Sequence, residues 1–283
     1  MKFSKISTLK GIFLFGMCVC LFACTKTEKE EEPLSPEKVQ LIKAVNSFNA
    51  IKHDSAFSEE IAEIIRNING NEDAFIAEIQ ALVENDADDL FTLIDKKHSV
   101  SKDFVPVDLV PLVKNDAYPI SRTDLSLRIC VEQALKEMAL AARKDGISLL
   151  VSSTFRSYEY QDKLFQRWVA IDGLEEAERE SARPGTSQHQ LGTAIDFGSI
   201  DDDYAVTKPG RWLAENAERF GFSLSFPKAY EPVTGYRWEC WHFRYIGNDA
   251  VAMQKKWFND VQQYLLEFVY CWKASQPLPE SES

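Results

Sequence analysis

Histidine is scarce in this 283-residue chain: four are present, His53, His98, His189 and His242. Imidazole chemistry is therefore confined to very few positions. Cysteine is little more frequent, with six in all, and three of those fall at Cys18, Cys20 and Cys24. The remaining Cys130, Cys240 and Cys271 are far apart and form no C-x-x-C pair, which argues against a structural zinc knot or a thioredoxin-like site and allows one disulfide at most. Basic charge is in deficit: 32 Lys and Arg stand against 44 Asp and Glu, a net charge of −12. With no Lys/Arg cluster to neutralise a run of phosphates, a nucleic-acid partner is not expected. There is no glycine-rich phosphate loop and no internal repeat. What is present is 45% hydrophobic and 27% charged, over a length sufficient for one ordinary core and something extra.

Lys2, Lys5 and Lys10 precede an apolar run from Gly11 to Ala23. At roughly 13 residues it is shorter than the ~20 that a membrane-crossing helix requires, so it is expected to be a signal peptide over residues 1–23. The run ends in Leu21-Phe22-Ala23-Cys24, which resembles the lipobox of bacterial lipoproteins and implies acylation of the Cys24 thiol. Residues 24–34 are charged, lack apolar periodicity and suit a solvated tether. Cleavage would remove three lysines and no acids, giving −12 − 3 = −15. Such a surface is repelled by anionic headgroups, which leaves the N-terminal lipid as the anchor. The expectation is a membrane-anchored lipoprotein, periplasm-facing or on the cell surface, with no protein partner evident.

Residues 35–91 read as two or three short helices: Val39, Ile42, Val45 and Phe48 recur at three-residue spacing, and Ile61, Ile64, Ile65 and Ile68 trace one face before Gly70. No cluster there has ligand or nucleophile spacing, so the segment reads as a helical lead-in or spacer, with His53 on its surface. A second domain is expected over residues 92–272, followed by a flexible tail over 273–283. Its pattern predicts helices over 124–144, 158–170 and 209–220, strands over 147–153, 222–226 and 236–245, and a C-terminal helix over 249–270. Helices segregated around a small, mostly antiparallel sheet make the fold class α+β.

Two segments carry candidate chemistry: Ser187-Gln-His189-Gln-Leu-Gly192-Thr-Ala-Ile-Asp196 and Trp238-Glu239-Cys240-Trp241-His242-Phe-Arg244-Tyr245. Together they offer two imidazoles, an aspartate and a glutamate. Catalytic zinc needs three protein ligands, an open position, and a nearby base that is not itself a ligand. The spacings constrain how these can meet. His189 to Asp196 and Glu239 to His242 are odd separations, which a regular strand would send to opposite faces. Gly192 can supply a bend, so that His189 comes from a loop and Asp196 from a strand beginning near Thr193; the second pair needs a bulge or a strand beginning at about Trp241.

The pattern S-x-H-x-x-G-x-x-x-D followed by E-x-x-H-x-R-Y resembles the VanY-type D-alanyl-D-alanine carboxypeptidases, zinc enzymes of bacterial cell-wall metabolism. The resemblance extends through Leu93 to His98, Val105 to Val110, Ser153-Thr-Phe-Arg156-Ser157 with Gln161, Arg183-Pro-Gly-Thr-Ser187, and Trp212-Leu with Asn216 and Gly221. It implies one zinc ion held by His189, Asp196 and His242, with Glu239 as general base for a metal-activated water. It further implies that Arg156 grips the substrate's terminal carboxylate, that Gln161 and Ser187 line the cleft, and that Arg244 supports a loop. The implied function is zinc-dependent removal of the terminal D-alanine from peptidoglycan stem peptides. The alternatives are L,D-carboxypeptidase action on tetrapeptide stems, cross-link cleavage, and a non-catalytic wall-binding lipoprotein. The sequence departs from the family's usual Gly at Thr154, Glu at Gln188 and Pro at Cys240, and none of these removes a proposed ligand or the base.

Overall fold

The computed structural model describes residues 33–276. The expected signal peptide, Cys24 and most of the charged tether lie outside the described residues, as does most of the expected tail.

Three helices open the described chain: α1 (Pro36–Asn49), α2 (Ser58–Gly70) and α3 (Glu72–Glu84). Ser35 caps α1, its hydroxyl accepting from Lys38 N at 3.3 Å, with Pro36 in the first turn where its missing N–H costs nothing. The buried face of α1 is Leu41, Ala44, Val45 and Phe48, whereas Val39 and Ile42 are exposed. A strict three-residue repeat drifts about 60° per step around a helix of 3.6 residues per turn, so the expected stripe rotates away from the core. In α2, Ile61, Ile64 and Ile68 are buried as their spacing predicts.

A two-stranded ribbon follows, β1 (Leu109–Pro111) with β2 (Ser126–Arg128), and then α4 (Ile129–Lys144). The helix expected from residue 124 thus begins at 129, because the preceding residues are extended and pair with β1. β3 (Val151–Ser153) leads to α5 (Tyr158–Asp172) and α6 (Leu174–Glu180); β4 (Ala194–Phe197) leads to α7 (Lys208–Asn216). β5 (Phe222–Leu224), the single turn α8 (Glu231–Thr234) and β6 (His242–Tyr245) complete the strands. The four main strands form one antiparallel sheet in the order β3-β4-β6-β5. The expected C-terminal helix is two, α9 (Asn248–Trp257) and α10 (Gln262–Ala274), separated where Asn259 and Asp260 adopt φ of 50° and 61°. Left-handed backbone cannot continue a right-handed helix. The architecture is α+β.

One core lies between α4, α7 and a face of the sheet, with Leu135, Met138, Ile195, Phe197, Leu213 and Phe222 all buried. The other joins α1–α3 to α9 and α10 through Phe48, Phe75, Trp257, Phe258 and Phe268. Phe75 meets Trp257 and Phe268 edge-on, with ring centroids 5.1 and 5.0 Å apart. Residues 35–91 are therefore not a detached spacer: their apolar faces close a core whose other half is the C-terminal helix pair, and no gap in packing falls at residue 91. His53 belongs to this region rather than to the surface, its side chain only 7% exposed, its Nε2 3.2 Å from Glu267 and its ring against Phe48 and Tyr264. Arg244 on β6 is fully buried and donates to the carbonyls of Leu90 and Thr92, tying the sheet to the end of the helical segment.

Candidate metal centre

β4 and β6 are adjacent, and their register sets Asp196 opposite His242. Directly opposed side chains in an antiparallel pair have Cβ atoms about 4.5–5.5 Å apart, close enough to share a ligand. His189 arrives from the 3-10 turn Gln188–Leu191, whose start is capped by Ser187 Oγ accepting from His189 N at 3.3 Å. Gly192 ends that turn with φ 68°, and a Cβ there would sit 2.9 Å from Leu109 Cδ2. The position requires glycine both for its conformation and for its space. Glu239 precedes β6, in a turn where His242 N donates to Glu239 O at 3.3 Å. Both odd spacings are thus accommodated in one way: in each pair one residue lies on a strand and the other just before it.

The four side chains converge. His189 Nε2 is 3.2 Å from Asp196 Oδ2, and His242 Nδ1 is 3.2 Å from both Asp196 Oδ1 and Glu239 Oε2. His189, Asp196 and His242 are buried and present ligand atoms within 4.8 Å of one another. The far side of each ring is already engaged. His189 Nδ1 donates to the Thr154 carbonyl at 2.7 Å, and His242 Nε2 donates to Gln188 Oε1 at 3.1 Å. Opposite nitrogens, Nε2 of His189 and Nδ1 of His242, are left facing the centre. His189 Nε2 and Asp196 Oδ1 are buried without a hydrogen-bond partner. Orphaned buried polar atoms are uncommon and costly, and here they belong to a two-imidazole, one-carboxylate donor set that suits zinc.

The local electrostatics are those of a tightly coupled cluster. Burial, with the Arg156 charge, lowers His189 to about 4. For His242 burial acts downward, but the adjacent carboxylates of Asp196 and Glu239 outweigh it and push the imidazole up to about 9. Burial would raise Asp196, yet the charges of His189 and Arg156 hold it well below the usual carboxylate range. Glu239 is raised, because burial exceeds the opposing pull of His242.

The centre opens onto a cavity of about 210 Å³, lined among others by Arg156, Ser187, Glu239, Trp241, Tyr236 and Phe226. Ser187 is at its wall, as expected. Arg156 is there too, although its Nη2 already donates to Asp196 Oδ2 at 2.6 Å and its Nε to Ser153 Oγ at 3.0 Å. Gln161 is not a wall residue. It is fully buried on α5, its amide donating to Ala182 O at 2.7 Å and to Ser181 Oγ at 3.2 Å, with Arg156 Nη1 3.4 Å from its carbonyl oxygen. An amide in that position braces the guanidinium and the 181–182 turn from behind. Cys240 points away from the metal centre, its Sγ 3.6 Å from Asp201 O, and with Cys130 and Cys271 it is a free thiol. Sequence reasoning had no signal for the Thr154 carbonyl, and it marked Gln188 only as a departure from the family pattern.

Comparison with known proteins supplies the remaining context. The family VanY, D-alanyl-D-alanine carboxypeptidase, matches residues 124–248. The putative carboxypeptidase YodJ of Bacillus subtilis (strain 168) is 31% identical over 172 residues, which cover 59% of this chain and 63% of YodJ. A D-alanyl-D-alanine carboxypeptidase of Enterococcus faecium is 30% identical, covering 61% of this chain and 56% of that protein. This chain therefore spans less than two thirds of the length of these curated relatives. A solved structure of the LD-carboxypeptidase LdcB matches with a TM-score of 0.56 at 30% identity, covering 66% of this chain and 87% of LdcB. The chain belongs to the VanY D-alanyl-D-alanine carboxypeptidase family. In this VanY-family chain the matched residues include His189, Asp196, Glu239 and His242, and the helices α1–α3 and α10 fall outside the family match.

Proposed function

We propose that this protein is a zinc-dependent carboxypeptidase that removes the terminal D-alanine from peptidoglycan stem peptides. The observation that carries the reading is the convergence of His189 Nε2, Asp196 and His242 Nδ1 at the base of a cavity, with the Glu239 carboxylate 3.2 Å from His242. Zinc bound by those three residues supplies a Lewis acid for the scissile carbonyl and lowers the pKa of water toward neutrality. Glu239, buried at the cavity wall, accepts the proton of the attacking water and delivers it to the departing amine. Arg156 is a cation at the wall suited to a free terminal carboxylate, since a planar guanidinium can meet both oxygens.

The test is mass spectrometry of muropeptides incubated with the protein, offering pentapeptide and tetrapeptide stems separately, with and without a zinc chelator. Chelator-sensitive loss of one alanine from the pentapeptide supports the assignment. A second specificity has its own support in the likeness to LdcB, an LD-carboxypeptidase. Loss from the tetrapeptide alone would move the assignment there, and no loss from either stem with zinc bound would overturn the carboxypeptidase reading.

We also propose membrane anchoring through a lipid on Cys24, placing the catalytic region outside the cytoplasmic membrane. The support is the run of Lys2, Lys5 and Lys10, the apolar residues 11–23 and the Leu-Phe-Ala-Cys junction. Incorporation of labelled palmitate that is abolished by Cys24→Ser is the expected result.

A further inference from the structure

Behind His242 lies a buried chain of neutral polar groups that begins at Gln188, itself at the cavity's edge. His242 Nε2 donates to Gln188 Oε1 at 3.1 Å, and Ser225 Oγ donates to the same oxygen at 2.7 Å. Gln188 Nε2 faces Gln262 Oε1 at 3.5 Å, and Gln262 Nε2 donates to the Ser223 carbonyl at 3.2 Å. All of these side chains are buried: Gln188 is 6% exposed, Ser225 3% and Gln262 1%.

The direction of this chain is decided at its far end. A backbone carbonyl can only accept, so the Ser223 carbonyl holds the Gln262 amide with its nitrogen toward β5 and its oxygen toward Gln188. Gln188 then turns its own nitrogen to Gln262, which avoids setting two amide oxygens against each other and leaves the Ser225 hydroxyl, 3.1 Å from Gln262 Oε1, between the two acceptors. Its oxygen is left facing His242 Nε2. An oxygen there can only accept, which keeps the proton on Nε2 and reserves the Nδ1 lone pair for the centre. His189 has the opposite arrangement, fixed by a backbone carbonyl directly.

We propose that Gln188, oriented by Gln262 of α10, is a positioning residue for the metal centre: it sets which nitrogen of His242 binds the ion and holds the ring in place. This rests on the metal site proposed above and adds a determinant from α10, outside the family match. Groups that hydrogen-bond the outer nitrogen of a ligating histidine typically contribute 10- to 100-fold in metal affinity.

The test is Zn²⁺ affinity of the full chain, measured by competition with a chromophoric chelator, for wild type, Gln188→Met and Gln188→Glu. Methionine preserves the volume and removes the acceptor, whereas a carboxyl keeps an oxygen facing Nε2 whether ionised or protonated. The expected result is a ~10- to 100-fold weaker affinity for Gln188→Met and a value within about threefold of wild type for Gln188→Glu. Gln262→Met, which leaves the direct contact to His242 in place, is expected to weaken binding less than Gln188→Met. Zinc affinity of Gln188→Met within threefold of wild type, or an equal loss in Gln188→Glu, would overturn the proposal. Failure of wild type itself to bind one zinc would instead overturn the metal-site reading beneath it.

Discussion

At the scale of single residues, the centre separates groups able to hold a metal from a carboxylate able to move a proton. Glu239 lies 3.2 Å from His242 Nδ1 but outside the set of three that share a common point. Replacing it with glutamine keeps the shape and removes the basicity. Glu239→Gln is expected to bind zinc stoichiometrically while kcat falls by ~10²–10⁴-fold, the usual contribution of a positioned general base. Metal content and turnover on the same sample check this; unchanged turnover would remove Glu239 from the base role. Gln161 shows how a residue's type can suggest the wrong position. A glutamine four residues after the helix cap Ser157 was a reasonable cleft residue from its motif, yet its place on the inner face of α5 buries it behind Arg156.

At the scale of elements, the decisive feature is how each short strand begins. The turn carrying His189 passes into β4 through one left-handed residue, Gly192, whose carbonyl also accepts from Arg128 N at 3.2 Å. Gly192→Ala would force a side chain into a backbone region that costs L-residues roughly 1–2 kcal/mol and would press on Leu109 and Arg128. The variant is expected to lower stability by about that amount or more. It should also weaken zinc binding, because His189 lies three residues upstream in the turn that must shift. Thermal melts paired with chelator competition would separate the two effects; a melt and a zinc affinity both unchanged would contradict the role given to this glycine.

At the scale of the whole molecule, the helices before and after the sheet are one structural unit. Phe75 from α3 is fully buried against Trp257, Phe258 and Phe268. Phe75→Ala is expected to cost ~3–5 kcal/mol, the range for truncating a buried aromatic, and to lower the denaturant midpoint of the catalytic region along with that of the helices. Two separate transitions would mean that the halves fold independently. The buried histidines give the metal-free protein a particular pH dependence. His242, raised to about 9, contributes stability that is complete below the unfolded value near 6.5 and is lost as pH rises through 9. His189, lowered to about 4, has the opposite effect: the unfolded chain binds a proton that the folded chain refuses, so stability falls as pH drops from about 6.5 toward 4. The metal-free Tm is therefore expected to peak near pH 6.5. Zinc must displace the proton on His242 Nδ1, so the gain in Tm on adding zinc should widen between pH 6.5 and 9. A gap that narrows over that interval would contradict the assigned ionisation.

Much of the site was legible in the amino-acid sequence because its chemistry is concentrated. Two of four histidines, an aspartate and a glutamate stand in two short motifs, and the odd spacing within each motif already required a break before a strand. The isoleucines of α2 were equally local, since helical periodicity acts over a few residues. Other features depended on partners distant in the chain. Residues 126–128 fall within a helical pattern but pair as a strand because β1 lies beside them, and α9 and α10 separate at two left-handed residues with no proline or glycine to mark the break. His53 is buried only because α10 brings Glu267 and Tyr264 to it. The orientation of His242 depends in the same way on Gln188, Ser225 and Gln262, 54, 17 and 20 residues away. A periodic pattern reports the face a segment can bury, but only the tertiary structure decides what meets that face and which atom of a buried ring is left free.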